Sequence, residues 1–125
     1  MWQKLVLIAL AGACGTLARY GLAGLVQRWS GVGFPWGTVV VNILGCLLFG
    51  IVWGLASERW GVSSQMRIVI LVGFLGAFTT FSTFVSETSQ LFIGSEMLYA
   101  MGNMVLQNTI GIGAFFLGMV LGRAI

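Results

Sequence analysis

The chain has 125 residues, of which 58% are hydrophobic and 7% charged, with six Lys or Arg, three Asp or Glu and no histidine for a net charge of +3. That length holds one compact domain, and that composition lies outside the range of water-soluble globular proteins. With no histidine, no acidic pair and no Cys–His arrangement for catalysis, an enzyme is the least expected class, and no nucleic-acid partner is expected either.

Crossing the hydrocarbon layer takes about 20 apolar residues, and four runs are that long: about 5–26, 36–57, 68–89 and 97–122. The first is interrupted only by Arg19. Its Gly12-Ala13-Cys14-Gly15 segment lies inside a run of full spanning length, so it reads as mature helix and not as a signal-peptide cleavage site. Trp2 precedes this run, Trp29 and Trp36 bracket the first loop, and Trp53 and Trp60 flank the end of the second run, as amphipathic rings do at headgroup level. Pro35 marks the start of the second helix, where a missing backbone donor costs nothing. Cys14 and Cys46 fall within predicted helices and need no chemistry beyond packing. The connections are too short for a soluble domain. An even number of spans puts both termini on one side, with Lys4, Arg59, Arg67 and Arg123 against Arg28 and Arg19, a modest preference for cytoplasmic termini. Gly50 with Gly54, and Gly118 with Gly122, have the spacing of four that lets helices approach closely. With the small size of the chain they predict association faces and a homo-oligomer, a dimer in the simplest case.

Within the third run, Thr79 to Ser89 holds seven Ser or Thr residues in eleven positions, whereas the first run holds one, Thr16. A single hydroxyl satisfies itself on a carbonyl four residues back, and a single Phe fills a core. The cluster is more than such local satisfaction requires. On a regular helix Thr79, Ser82, Ser86 and Ser89 form one stripe. Alternatively the helix is interrupted near Gly76 to Thr80, since glycine and clustered Thr weaken it. A break at that depth is tolerated where it lines a cavity, and it offers carbonyls to a small cation. Asn42 and Asn108, in the second and fourth runs, must each find partners, and an amide also offers donors to an anion. Arg19 and Glu87 are the ionisable residues within the runs, each either a functional group or a snorkelling or structural one. Phe81 and Phe84 bring rings with a negative face and a positive edge, and a ring edge with hydroxyls and amides can replace an anion's water without trapping it.

Two segments, "GTVVVNILG" (37–45) and "GFLGAFTTFSTFVSE" (73–87), resemble the signature segments of the Fluc, or CrcB, family of fluoride ion channels, and the length and four-span layout resemble that family over the whole chain. The resemblance implies an all-α membrane protein of four transmembrane helices per subunit, the third interrupted, assembled as an antiparallel dual-topology homodimer in the bacterial plasma or inner membrane. It implies a passive fluoride-selective channel that lowers cytoplasmic fluoride, with two pores per dimer and a central structural sodium ion. Fluoride and membrane lipid are then its partners, with no other protein implied. By the same resemblance Phe81 and Phe84 form the aromatic contacts to fluoride, Asn42, Ser82, Thr83 and Asn108 line the route, and the backbone carbonyls of Gly76 and Thr79 hold the sodium. Arg19 and Glu87 are placed at a vestibule or in a structural role. The sequence departs from the family in its fourth span, which carries Met104 and Ile112 one turn either side of Asn108 where relatives carry polar residues.

Two other classes fit the composition. A small dual-topology proton-coupled multidrug exporter needs a membrane-embedded carboxylate, typically in its first span. A non-transporting assembly factor would use the polar residues only for helix contacts.

Overall fold

The computed structural model describes residues 2–58 and 63–125, the side chains of 56–58 excepted, and the expected interface residues Arg59 and Trp60 lie outside it. Every described element is helical: α1 (Trp2–Ser30), α2 (Trp36–Glu58), α3 (Ser64–Ile68), a π-helical stretch (Val69–Leu75), α4 (Gly76–Phe78), α5 (Phe81–Ile93) and α6 (Met97–Ala124). Four of the resulting rods are long and apolar enough to cross a membrane, the third being the composite of residues 64–93.

The rods outrun the apolar runs at several ends because helices stop where the backbone is made to stop, not where hydropathy falls. Helix α1 continues through Gln27 and Arg28 to Ser30 and ends at Gly31, whose φ of +83° suits a residue without Cβ. Gln27 then stitches the loop: its Nε2 donates to the carbonyls of Gly31 and Phe34, and its Oε1 accepts from the N–H of Gly37 in the first turn of α2. Span three starts at Ser63, whose Oγ accepts from the Met66 N–H at 3.2 Å. It ends at Gly94, beyond which the Glu96 N–H reaches back to the Leu91 carbonyl at 2.8 Å.

Packing pairs span two with span four and span one with span three. A Cβ on Gly50 or Gly54 would lie 2.1 Å from the carbonyl oxygen of Phe115 and 2.4 Å from that of Met119. On the facing helix, Gly118 and Gly122 stand in the same relation to the carbonyls of Leu47 and Ile51, at 2.1 and 2.3 Å. The glycines expected to join subunits are therefore consumed inside one chain, where they bring α2 and α6 to backbone contact. On the other side Gly15 meets the Phe74 carbonyl, where a Cβ would sit at 2.3 Å. Val41, Leu71, Leu75 and Phe78 are the buried centre between these pairs.

Candidate functional site

The site is built around the interruption of span three. Upstream, the Gly76 N–H reaches the Leu71 carbonyl five residues back, so the helix is already widened before it stops. Thr79 (φ −84°, ψ 160°) and Thr80 (φ −149°, ψ 112°) are then fully extended. Of the two readings the sequence left open, the interruption holds, and Thr79 does not continue a regular stripe with Ser82, Ser86 and Ser89. Each threonine satisfies the chain locally. Thr79 Oγ1 donates back to the Leu75 carbonyl at 3.0 Å, and Thr80 Oγ1 caps α5 by accepting from the Thr83 N–H at 3.3 Å.

Redirecting these donors frees acceptors. In a continuous helix the Gly76 carbonyl would receive the Thr80 N–H, which goes instead to Asn42 Oδ1 at 2.8 Å. The Thr79 carbonyl would receive the Thr83 N–H, which goes to the Thr80 hydroxyl. Gly76 and Thr79, the positions expected to offer carbonyls, are among the four, 76 to 79, whose helical donors the break removes.

Asn42 is the partner that makes the break affordable. Its Oδ1 takes the Thr80 N–H, and its Nδ2 donates both to the Thr80 carbonyl at 3.0 Å and to Gln107 Oε1 at 2.7 Å. Both amide hydrogens are engaged. From Gln107 the chain of bonds runs on: Gln107 Nε2 donates to Asn103 Oδ1 at 2.8 Å, Asn103 Nδ2 donates to Thr88 Oγ1 at 2.9 Å, and the Thr88 hydroxyl donates to the Phe84 carbonyl at 2.7 Å. Asn103 is fully buried, with Thr88 at 6% and Gln107 at 9% exposure.

Asn103, Gln107 and Thr88 were not among the candidates read from the sequence. A signal was there: Asn103, Gln107 and Gly111 are spaced by four and share one buried face of α6. Asn108, the residue chosen on that helix, is exposed and turns its Nδ2 to the Met104 carbonyl of its own helix at 2.7 Å. Met104 and Ile112 are exposed as well, so the two departures from the family pattern lie off the face that carries the network.

Three adjoining cavities follow span three. The first, about 300 Å³, is lined by Asn42, Thr80, Phe81, Phe84, Gln107 and Asn108 among others. The ring centroids of Phe81 and Phe84 are 5.7 Å apart at 47°; Phe84 is buried, and Phe81 is 76% exposed. The second, about 330 Å³, gathers Arg19, Thr38, Thr80 and Thr83, so Thr83 sits on Arg19's side of the break. The third, about 380 Å³, is lined by Gln27, Pro35, Glu87, Gln90 and Glu96. Thr80 walls both the first and the second. Thr38 joins the second to the third, since its hydroxyl donates to Glu87 Oε1 at 2.8 Å. Glu87 Oε2 is buried and has no hydrogen-bond partner among the described residues. Ser82 stands on the exposed side of α5, outside these walls. The structure therefore brings Asn42, Phe81, Phe84, Asn108 and Thr79 around one cavity, and places Arg19 with Thr83, and Glu87, along its continuation.

Known proteins bear closely on this arrangement. A family described as CrcB-like protein, Camphor Resistance (CrcB), matches residues 6–119. The chain is 54% identical over 125 residues to the fluoride-specific ion channel FluC of Nitrosococcus oceani and to that of Desulforapulum autotrophicum, covering 100% of each. It is 53% identical, again over 125 residues and 100% of both chains, to the fluoride-specific ion channel FluC of Solidesulfovibrio magneticus.

Proposed function

The chain belongs to the CrcB family, and from that premise we propose that it is a fluoride-selective channel, a multi-pass protein of the bacterial cell membrane that lets fluoride leave the cytoplasm passively. The observation that carries the reading is the broken third span, with Phe81, Phe84 and Asn42 gathered on one cavity at the break. A small, strongly hydrated anion must find donors as it sheds water. Ring edges of Phe81 and Phe84 and the amide of Asn108 on the first cavity, the Thr83 hydroxyl on the second, and the Ser82 hydroxyl on the exposed face that a second copy would cover supply them without a fixed charge that would hold the ion. Asn42, its donors already engaged, shapes the route by holding the backbone beside it. Arg19 and Glu87 border the continuation of the route and set its electrostatics.

The working unit in this reading is an antiparallel dual-topology homodimer with two pores. Phe81 is largely exposed, and Ser82, Ser86, Ser89 and Asn108 are exposed polar groups on membrane-spanning helices. Polar groups at that depth need protein or water against them, not lipid. A second copy laid over this face covers them and closes the groove.

The freed carbonyls of Gly76 and Thr79 fit a structural sodium ion. They are hard, neutral oxygen donors, Gly76 is exposed on the single chain, and among the described residues no group of His, Cys, Asp or Glu could hold a metal instead. Carbonyls from two copies would surround the ion, which would supply a positive charge tying the two breaks together. A proton-coupled exporter would need a carboxylate in its first span, and α1 has none.

The test is efflux from liposomes carrying the purified protein, with a fluoride electrode beside a chloride electrode. Rapid fluoride release without chloride release is expected. Well-folded dimers that release neither would overturn the reading.

A further inference from the structure

We propose that Gln107 and Asn103 are positioning residues for the break in span three: by one chain of hydrogen bonds they hold the Asn42 amide in the one orientation that pairs with the Thr80 backbone, and that amide keeps Thr80 extended and its N–H off the Gly76 carbonyl. The inference deepens the channel reading and rests on it for its functional arm only.

The orientations in the chain are forced, one after another. A backbone N–H can only donate, so the Thr80 N–H compels Asn42 to present Oδ1. Asn42 must then aim Nδ2 at Gln107, which has to answer with Oε1. Gln107 is left with Nε2 on its other side, so Asn103 must answer with Oδ1. Asn103 therefore aims Nδ2 at the Thr88 hydroxyl oxygen, and Thr88 must send its own hydrogen elsewhere, which it does, to the Phe84 carbonyl. The chain thus begins on a backbone donor at Thr80 and ends on a backbone acceptor at Phe84, both on the same stretch of span three. Reversing Asn42 or Gln107 puts two donors or two acceptors face to face at both of its ends; reversing Asn103 does so at Gln107, and at its other end takes the Thr88 hydrogen away from the Phe84 carbonyl.

Each member has one task. Gln107 holds an acceptor against Asn42. Asn103 makes that acceptor Oε1 by drawing Nε2 the other way; without it, the Gln107 amide could turn over and aim a donor at Asn42. Burial sharpens the selection, since a mispaired polar group at this depth has no water to turn to. Asn42 in turn pairs with both backbone groups of Thr80, as a neighbouring strand would, and so stands in for the helical bonds the break gives up.

The experiment is backbone amide hydrogen exchange on the full-length protein in detergent, read at Thr80 and at the interior amides of α6, together with fluoride efflux, for Gln107→Met, Asn103→Leu and Thr88→Val. Gln107→Met keeps the bulk and removes both bonds. The expected result is exchange at Thr80 roughly fivefold faster, about the effect of losing one hydrogen bond, with α6 amides unchanged. Fluoride efflux should fall by a similar factor. Asn103→Leu should give the same local pattern, and Thr88→Val, at the far end, a weaker one. Protection at Thr80 equal to that of the parent in both Gln107→Met and Asn103→Leu would overturn the proposal. So would a uniform loss of protection along span three and α6, which is what a merely structural pair would produce. A variant that fails to fold leaves Thr88→Val to decide, because it removes the last link only. Absence of fluoride flux in the parent would sink the channel reading, and exchange at Thr80 would still decide this one.

Discussion

Gly45 stands where α2 meets the break, and replacing it by alanine tests whether the conformation of Thr79 governs conduction. A Cβ at 45 would lie 2.1 Å from Cγ2 of Thr79 and 3.5 Å from the Phe78 ring. Carbon atoms want about 3.5–4.0 Å, so the Thr79 methyl must retreat by about 1.5 Å while the ring can stay. The retreat is not free, because Thr79 is β-branched and its Oγ1 is tied to the Leu75 carbonyl at 3.0 Å; turning the methyl away breaks that bond. Overpacking of this kind costs about 1–3 kcal/mol and the bond about 1 kcal/mol, offset by about 1 kcal/mol for alanine over glycine in a helix. A net of about 2 kcal/mol is roughly a 30-fold shift in population. Fluoride efflux from liposomes carrying Gly45→Ala should fall by that order. Adding Thr79→Ser removes the clashing methyl and keeps the hydroxyl, so the double variant should recover most of the rate. Full flux in the single variant, or no recovery in the double, would refute the reasoning.

Phe81→Ile and Phe84→Ile keep apolar bulk and remove the ring edges, so each should slow fluoride efflux roughly 3–10-fold with the dimer intact by crosslinking; unchanged rates in both would remove the rings from the pathway. Preparation with N-methylglucamine in place of sodium should abolish efflux, and added sodium should restore it, whereas a channel indifferent to the exchange would leave the Gly76 and Thr79 carbonyls without an ion. In Gly118→Val the new side chain meets the Leu47 carbonyl, which as backbone cannot turn aside. The melting temperature in detergent should drop with a loss of about 1–3 kcal/mol, while Gly113→Ala, with open space around it inside α6, should melt no lower than the parent and gain up to about 1 kcal/mol.

The four spans were legible because apolar length is a coarse property, and their ends were not, because Gly31, Ser63 and Gly94 set them through backbone geometry and caps. The interruption at Thr79–Thr80 could be read as one of two alternatives; what decides it is Asn42, a partner 38 residues away that replaces the missing helical bonds. Local preference alone carries no such information. Asn42 itself was found as a polar residue in an apolar run, but its task as a clamp depends on Gln107 and Asn103, which a search for isolated polar residues passed over in favour of Asn108. Neighbours in sequence, Gln107 and Asn108 point to different faces of α6, and only packing separates the buried amide from the exposed one. The glycine pairs were identified as contact surfaces, yet spacing does not say whether the other helix belongs to the same chain.

The pairing of spans one with three and two with four has a consequence for biogenesis. A ribosome delivers the spans in order, and the first two emerge as neighbours that are not each other's main partners. Span two waits, with its bare glycine backbone uncovered and the Asn42 amide able to pair with Thr80 of span three but not yet with Gln107, until α6, the last span, has been made. The bundle consequently cannot close from its N-terminal half, and a nascent chain stalled after span three should be held by the insertion machinery or fall to membrane proteases. Release into the lipid is timed by the final span.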